Sequence, residues 1–264
     1  ARLKEDEFYI VTSTGWTPKD RDWIERSLKD FSDVKLTEVT EQKAVLSLMG
    51  PNSRTILSQL TDADISEQAF PFGAALKIDV GGVEVLALRV TFVGELGWEL
   101  HIPARKAGMI YDQLMEDGQV HGLVNAGYRA IESLRLEKGY LAFGSDIGPD
   151  HNPYELGLGF ALDLKSERHF CGRTALLETQ IALLKKVMCR FLVDDPNITL
   201  LGRETILKNG EPVGWLSSAG FGYSEEKWIG LGFVLSTTCT SLKSLCDGSF
   251  SLEVGGKIHT CKRV

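Results

Sequence analysis

The residues of this chain best suited to bind a planar ligand are Glu99, Phe92 and Trp98, within the stretch VTFVGELGWELHIP at positions 90–103. Gly94 and Gly97 bracket a tight turn, and the alternation after it points Glu99 to the opposite face from its neighbours. A carboxylate beside flat apolar rings can hold a planar heterocycle that offers paired N–H donors. The same pattern also fits a hairpin in which Glu99 is solvated and both aromatic rings belong to the core.

The first part of the chain predicts the elements that lead into this stretch. Residues 6–13 are rich in aromatic and β-branched residues, which is typical of a strand, and further strands are predicted at 34–39 and 43–49. Thr17 is predicted to cap one helix at its N-terminus, and Asn52 is predicted to cap another. The segment before position 60 therefore predicts alternating strands and helices.

A hairpin is predicted directly before the turn, because two apolar segments, 74–80 and 83–92, meet at Gly81-Gly82. After Pro103, residues 104–118 have the apolar spacing of an amphipathic helix. The turn with Glu99 is thus expected to lie between a strand and a helix.

The second informative stretch is VNAGYRAIESLRLEKGY at positions 124–140. Its apolar and charged residues recur at helical spacing, and the helix would end by delivering the ring of Tyr140 into a cleft beyond it. A surface helix with several ion pairs is the alternative interpretation of the same spacing.

The composition changes in the last third of the chain. Residues 143–158 are dense in Gly, Pro, Asp and Asn and predict a long loop of the kind that often carries function. A strand at 159–164 and a helix at 172–186 are predicted next. From Val187 onward, short apolar segments separated by turns have the spacing of a small β-barrel or sandwich. The predicted strands are 187–193, 204–208, 213–218, 228–234, 249–254 and 257–262, with turns at Asn209-Gly210 and Gly255-Gly256.

Composition excludes several classes of function. The chain has 264 residues, is 43% hydrophobic and 25% charged, and carries a formal net charge of −7. This acidic balance, without long Lys or Arg runs, argues against a nucleic-acid partner. No apolar run approaches the roughly 20 residues that a membrane span needs. We therefore expect a globular protein that uses neither a nucleic acid nor a membrane.

Cysteine and histidine usage gives no indication of a metal site. The five cysteines, an odd number, form no C-x-x-C pair, which fits a reducing compartment. Cys239 and Cys246 are the nearest pair, but they lack further ligands at suitable spacing. The five histidines are scattered, so we expect no metal ion.

Five motifs together resemble one known family. They are LMGPNSR at 48–54, EQAFPF at 67–72, FVGELGWELHIP at 92–103, NAGYRAIESLRLEKGY at 125–140, and the segment from Asn209-Gly210 to Gly214. This combination resembles the folate-binding module of the glycine-cleavage T-protein (aminomethyltransferase) family. Within the family, it is most similar to the C-terminal region of sarcosine and dimethylglycine dehydrogenases and to their relative, the regulatory subunit of pyruvate dehydrogenase phosphatase.

The resemblance implies an α+β fold, with a cloverleaf of small subdomains around a funnel for tetrahydrofolate and a C-terminal β-barrel. The change in composition places a domain boundary near residues 178–186, which gives a folate-binding domain at 1–180 and a barrel at 181–264. The resemblance implies that the first domain is incomplete at its N-terminus. It implies that Glu99 takes the pterin ring by a two-point hydrogen bond, and that Phe92, Trp98 and Tyr140 line the site. Localisation in the mitochondrial matrix is implied as well.

The chain departs from the family pattern at several positions. Phe92 stands where the family has a Tyr, so the ring remains but the hydroxyl is lost. Ile131 stands where many members have an Arg for the folate glutamate tail, and Arg129 lies about 160° away on the helix at roughly 100° per residue. The family's catalytic Asp is not in this chain, so no catalytic residue is assigned. FAD is expected only in a missing N-terminal domain, because no G-x-G-x-x-G follows a strand here.

These features predict a tetrahydrofolate-binding module that accepts a one-carbon unit from oxidation of an N-methyl amine such as sarcosine or dimethylglycine. The product would be methylenetetrahydrofolate, and a flavin domain would be fused or associated. Two alternatives stay open: a non-catalytic regulatory subunit that kept the fold, and a stand-alone aminomethyltransferase of the glycine cleavage system.

Overall fold

The computed structural model describes residues 1–179, 184–235 and 247–264, which form two compact units at Ala1–Asn125 and Ala126–Val264. Both units contain helices and strands, so the predicted α+β class is confirmed. Residues 180–183, at the end of the helix predicted for 172–186, lie outside the described residues, as do Cys239 and Cys246.

The first unit is built on a four-stranded antiparallel sheet. Its strands are β1 (Lys43–Met49), β2 (Ala75–Val80), β3 (Val83–Leu88) and β4 (Gly97–Pro103), in the order β1-β4-β3-β2. The predicted hairpin at Gly81-Gly82 is confirmed, and both glycines have the positive φ that a two-residue turn of this kind requires. β4, the strand of Glu99, is therefore a central strand paired on both edges.

Three helices accompany this sheet: α1 (Thr17–Ser27), α2 (Ser53–Leu57) and α3 (Ala107–Gly118). The predicted cap of α1 is wrong in detail, because the helix begins at Thr17 itself and the Thr17 hydroxyl donates backwards to the Thr14 carbonyl. Asn52 occupies the N-cap position of α2, but its amide donates to the His121 carbonyl and makes no side-chain cap.

One face of the sheet forms the main hydrophobic core of the unit with α2 and α3. Burying this apolar surface is the principal stabilising term, at roughly 25 cal/mol per Å². The core side chains shared by these elements include Leu48, Ile56, Leu57, Phe70, Val85, Trp98, Leu100, Ile102, Ile110 and Leu114.

Three predicted strands are wrong. Residues 6–13 make only an isolated bridge, Arg2 to Phe8, residues 34–39 have no strand structure, and Gly159–Ala161 is a 3-10 turn where a strand was predicted at 159–164. β-branched and aromatic composition favours a strand only where a partner strand is available for the ladder. None of these segments pairs along a ladder within the described parts of the chain.

The second unit starts with α4 (Tyr128–Glu137), continues through the predicted long loop, and includes the short helix α5 (Arg173–Glu178). The predicted C-terminal barrel is confirmed. Its strands close in the order β10-β5-β8-β7-β6-β9 around a core that includes Phe191, Ile206, Leu216 and Leu252. The strands are β5 (Lys186–Val193), β6 (Thr205–Lys208), β7 (Glu211–Gly222), β8 (Lys227–Leu235), β9 (Phe250–Val254) and β10 (Lys257–Arg263).

Candidate functional site

Glu99 projects from the face of the sheet that is opposite the main core. Along β4, Trp98 and Leu100 are fully buried in the core, whereas Glu99 and His101 alternate to the other face, as the strand period requires. On that face His101 is fully buried, but the side chain of Glu99 is 28% exposed. The residues packed on this face therefore cover His101 completely but leave part of the Glu99 carboxylate in contact with solvent.

The turn before β4 is shaped by two specific devices. The Thr91 hydroxyl accepts hydrogen bonds from the backbone N–H groups of Val93 (3.2 Å) and Gly94 (3.1 Å), and Gly94 adopts φ 75°, which side chains with a Cβ disfavour. A Cβ at Gly97 would lie 2.2 Å from Met49 Sδ and 2.5 Å from a backbone oxygen of β1. Gly97 is thus needed for the close approach of β1 to β4.

Phe92 lies inside this turn and is 41% exposed, so part of its ring is available as a flat apolar surface. The prediction that Phe92 lines a ligand site is compatible with this exposure and stays a prediction. The predicted turn between Gly94 and Gly97 directly precedes β4, in agreement with the sequence pattern.

Trp98 lies in a different environment from Glu99. Its indole is fully buried, packs edge-on against Phe70 with ring centroids 6.1 Å apart, and has the guanidinium carbons of Arg54 and Arg89 within 5.3 and 5.9 Å of its ring centroid. These are cation–π and aromatic contacts inside the core. The ring has no exposed face to offer a ligand, so its contribution in this structure is to fix β4.

The Glu99 carboxylate has one polar neighbour on its own strand. Its Oε2 lies 3.5 Å from Nε2 of His101, and Nδ1 of His101 lies 3.1 Å from the hydroxyl of Tyr9. Sequence reasoning missed both His101 and Tyr9. The i, i+2 spacing of Glu99 and His101 on one strand face was an available signal, but nothing in the sequence pattern places Tyr9 against them.

A cavity of about 660 Å³ adjoins His101 within the first unit. Its walls come from the N-terminal segment, α1, residues 35–40 and β1, and they mix apolar side chains such as Ile10, Ile24 and Val45 with charged and hydroxyl groups. The first unit therefore has an open space beside the face that carries Glu99.

In the second unit, the segment that ends at Tyr140 is fixed by a buried arginine. Arg135 is fully buried, and its guanidinium donates to the Tyr140 carbonyl (2.9 Å), to Asp146 Oδ2 (2.7 Å) and to Ser218 Oγ (2.7 Å), and also pairs with Glu132. Paired charged hydrogen bonds of this kind are strong and directional. Tyr140 itself is 37% exposed, so its backbone is anchored while its ring is partly accessible.

Asp146 is the other centre of this network. Its carboxylate accepts hydrogen bonds from the backbone N–H of Ala142 (2.9 Å) and from the hydroxyls of Ser217 and Ser218 on β7. It is 1% exposed, so each of these bonds replaces a lost water contact. The long loop predicted at 143–158 is therefore tied to the barrel through its first buried carboxylate.

The two positions on α4 that concern the folate tail, Ile131 and Arg129, make none of the hydrogen bonds of this network. Ile131 is partly buried and Arg129 is exposed on α4. Neither Arg135 nor Asp146 was identified from the sequence as a functional residue, because Asp146 lies in the loop 11 positions after Arg135 and no local spacing pairs the two.

Across the described ranges, no group of three or more His, Cys, Asp or Glu side chains is arranged to hold a metal ion. No helix in those ranges is long and apolar enough to cross a membrane. The groups available for a ligand on the first unit are therefore the Glu99 carboxylate, the exposed part of Phe92 and the polar groups around the cavity.

The fold is that of a mixed α+β module with a closed C-terminal barrel, and it carries a partly exposed carboxylate on a central strand of its first unit. Residues 1–166 match the GCVT N-terminal domain, and residues 186–264 match the glycine cleavage T-protein C-terminal barrel domain. The chain therefore belongs to the glycine-cleavage T-protein family, which confirms the resemblance inferred from the sequence.

Individual relatives agree with this assignment. Human mitochondrial sarcosine dehydrogenase is 41% identical over 251 residues, which cover 94% of this chain and 27% of that protein. Human mitochondrial dimethylglycine dehydrogenase is 34% identical over 230 residues, covering 86% and 26%. The chain thus spans about a quarter of the length of these relatives.

The fold is also that of a solved T-protein. The glycine cleavage system aminomethyltransferase T of Bartonella henselae superposes with a TM-score of 0.77 at 22% identity, covering 94% of this chain and 65% of that structure. At this level of identity, the comparison establishes the fold alone.

Proposed function

We propose that this chain is a tetrahydrofolate-binding module and that Glu99 takes the pterin ring. The observation that carries the proposal is the partly exposed Glu99 carboxylate on a central strand, in a chain that belongs to the T-protein family. A pterin presents neighbouring N–H donors in one plane, and an ionised carboxylate can accept two of them side by side. Phe92 supplies an apolar ring surface on the turn that leads into the same strand.

The proposed reaction is the capture of a one-carbon unit at the oxidation level of formaldehyde. N5 of tetrahydrofolate attacks the carbon of an iminium derived from an N-methyl amine, and N10 then displaces the amine. The two N–H protons leave, one of them on the departing amine, and methylenetetrahydrofolate remains. The chain's share is to hold and orient the folate, which raises the effective concentration of the reacting groups.

The oxidation that generates the iminium belongs to a flavin domain outside this chain, either fused or associated. The 264 residues carry no dinucleotide-binding G-x-G-x-x-G after a strand, and Gly220 and Gly222 lie within β7. The two human relatives are named sarcosine dehydrogenase and dimethylglycine dehydrogenase, so an N-methyl glycine is the proposed source of the carbon. Both relatives are mitochondrial, and we propose the mitochondrial matrix for this protein too.

A regulatory module that retained the fold without binding folate is the second candidate function. Two observations favour it: Phe92 lacks the hydroxyl expected at its position, and Ile131 replaces an expected Arg. The test is calorimetric titration of the 264-residue chain with tetrahydrofolate under anaerobic conditions. Saturable one-to-one binding is the expected result, and absence of binding would favour the regulatory candidate.

A further inference from the structure

His101 is a buried imidazole on the same sheet face as Glu99, and the family resemblance gives it no role. It is fully buried although it is polar, and burying an imidazole without hydrogen bonds costs free energy. Its two ring nitrogens face two different partners, so the arrangement at each nitrogen determines what the residue can do.

The Nδ1 side of the imidazole faces Tyr9. The Tyr9 hydroxyl lies 3.1 Å from Nδ1, and the two rings meet edge to face with centroids 5.3 Å apart at 88°. Burial raises the pKa of the Tyr9 hydroxyl above its ordinary value, so the phenol keeps its proton at neutral pH. A phenol that donates to Nδ1 requires the neutral imidazole to carry its own proton on Nε2.

The Nε2 side faces Glu99. Nε2 is buried and has no hydrogen-bond partner among the described residues, and Oε2 of Glu99 lies 3.5 Å away. This separation is a few tenths of an ångström beyond an ordinary N–H···O bond of about 2.7–3.2 Å. The glutamate side chain has three rotatable bonds, so a small adjustment closes the gap.

We propose that His101 is a positioning residue for Glu99, in which the Tyr9 hydroxyl fixes the Nε2–H tautomer and Nε2–H holds one carboxylate oxygen. The remaining lone pairs of the carboxylate then accept the paired N–H donors of the pterin. The inference rests on the proposed function for the role of the carboxylate, but the Tyr9–His101–Glu99 arrangement can be tested without any ligand.

The ligand-free test is the tautomer of His101 in solution. Long-range proton–nitrogen correlation spectra report which ring nitrogen carries the proton, and loss of the signal in His101→Gln assigns it. The proposal expects an Nε2–H tautomer whose Nε2 shift moves in Glu99→Gln. An Nδ1–H tautomer, or an Nε2 chemical shift that is the same in Glu99→Gln as in wild type, would overturn the proposal.

The ligand-dependent test compares tetrahydrofolate affinity among matched variants. His101→Leu removes the donor, whereas the side-chain amide of His101→Gln retains one near the position of Nε2. A hydrogen bond to a charged group contributes about 1.5–3 kcal/mol, so His101→Leu should weaken binding about 10-fold to 100-fold. His101→Gln should recover most of that loss, because its amide restores the donor.

Tyr9→Phe is a second variant that should fold normally, because it keeps the ring and removes only the hydroxyl. It should weaken binding about twofold to tenfold, the effect of losing one neutral hydrogen bond, because the imidazole can then carry its proton on Nδ1 as well. Wild-type affinity in both His101→Leu and Tyr9→Phe would refute the positioning role while leaving folate binding intact. If the wild-type chain does not bind tetrahydrofolate, the proposed function is contradicted. The tautomer experiment would then still show whether Nε2–H of His101 contacts Glu99.

Discussion

Glu99 is accessible because the cover on its side of the sheet is incomplete. Two residues further along β4, the His101 side chain is fully buried and contacts the Tyr9 hydroxyl, whereas the side chain of Glu99 is 28% exposed. A carboxylate in such a position keeps part of its hydration and still has a preferred direction. This combination suits a group that must exchange water for the N–H donors of a ligand.

The Arg135–Asp146 pair gives a first prediction at the residue scale. Both side chains are essentially fully buried, so Asp146→Ala would leave the guanidinium without its main counter-charge. Breaking a buried pair in this way costs about 3–5 kcal/mol. Urea denaturation should show this loss of free energy of unfolding, while the control Asp150→Asn, an exposed residue on the same loop, should stay within about 0.5 kcal/mol of wild type.

An unchanged urea midpoint for Asp146→Ala would show that the network does not support the fold. If the pair anchors Tyr140 as well, the same variant should also broaden the amide signals of residues 138–142. The Ala142 N–H loses its acceptor, and Arg135, which donates to the Tyr140 carbonyl, loses the carboxylate that orients it.

Cys261 gives a prediction about pH. Burial raises the pKa of its thiol from 9.0 to about 12. The unfolded chain therefore releases this proton near pH 9, whereas the folded chain holds it, so the Cys261 contribution to stability is complete below pH 9 and declines as the pH rises towards 12. Chemical denaturation from pH 8 to 11 should show that the free energy of unfolding falls as the pH rises, and that it falls less in Cys261→Ala. The same dependence on pH in the variant and in wild type would contradict the prediction.

At the element scale, the turn from Thr91 to Gly97 determines where β4 begins. The glycines of the turn are needed for different reasons: Gly94 for a positive φ, and Gly97 for the close approach of β1. The sequence pattern predicted the turn, the hairpin at Gly81-Gly82 and the face of Glu99, because these depend on local spacing.

Other features were beyond the sequence because they depend on contacts distant along the chain. Trp98 and Glu99 are adjacent, but only the packing of Phe70, Arg54 and Arg89 shows that the indole belongs to the core. In the same way, Tyr9 meets His101 across 92 positions. The strands wrongly predicted at 6–13 and 34–39 have suitable composition, but they make no ladder in the described structure.

Gly97→Ala tests the element-scale account. The new methyl group would lie 2.5 Å from the backbone oxygen of Leu48, and β1 would have to shift. Overpacking of this kind costs about 1–3 kcal/mol. Gly108→Ala is the matched control, since it lies in α3 with no neighbouring atom within 4 Å and should be neutral or stabilising by up to about 1 kcal/mol.

Thermal unfolding of the two glycine variants measures this difference directly. Equal melting temperatures for Gly97→Ala and wild type would mean that the β1–β4 pairing tolerates a side chain at position 97, which would contradict the 2.5 Å contact expected with the Leu48 oxygen.

At the scale of the whole molecule, both family domains are present, from 1–166 and from 186–264, in a chain that spans about a quarter of two dehydrogenase relatives. The motifs were long enough to identify the family from the sequence, and the barrel could be predicted from strand spacing.

The central claim is that Glu99 binds the pterin ring, and calorimetric titration of tetrahydrofolate into Glu99→Ala tests it most directly. Two hydrogen bonds to a charged group predict that the variant loses about 100-fold or more in affinity. The control Glu84→Gln, an exposed carboxylate on the neighbouring strand β3, should bind as wild type does. Wild-type affinity in Glu99→Ala would contradict the assignment of Glu99 to the folate site.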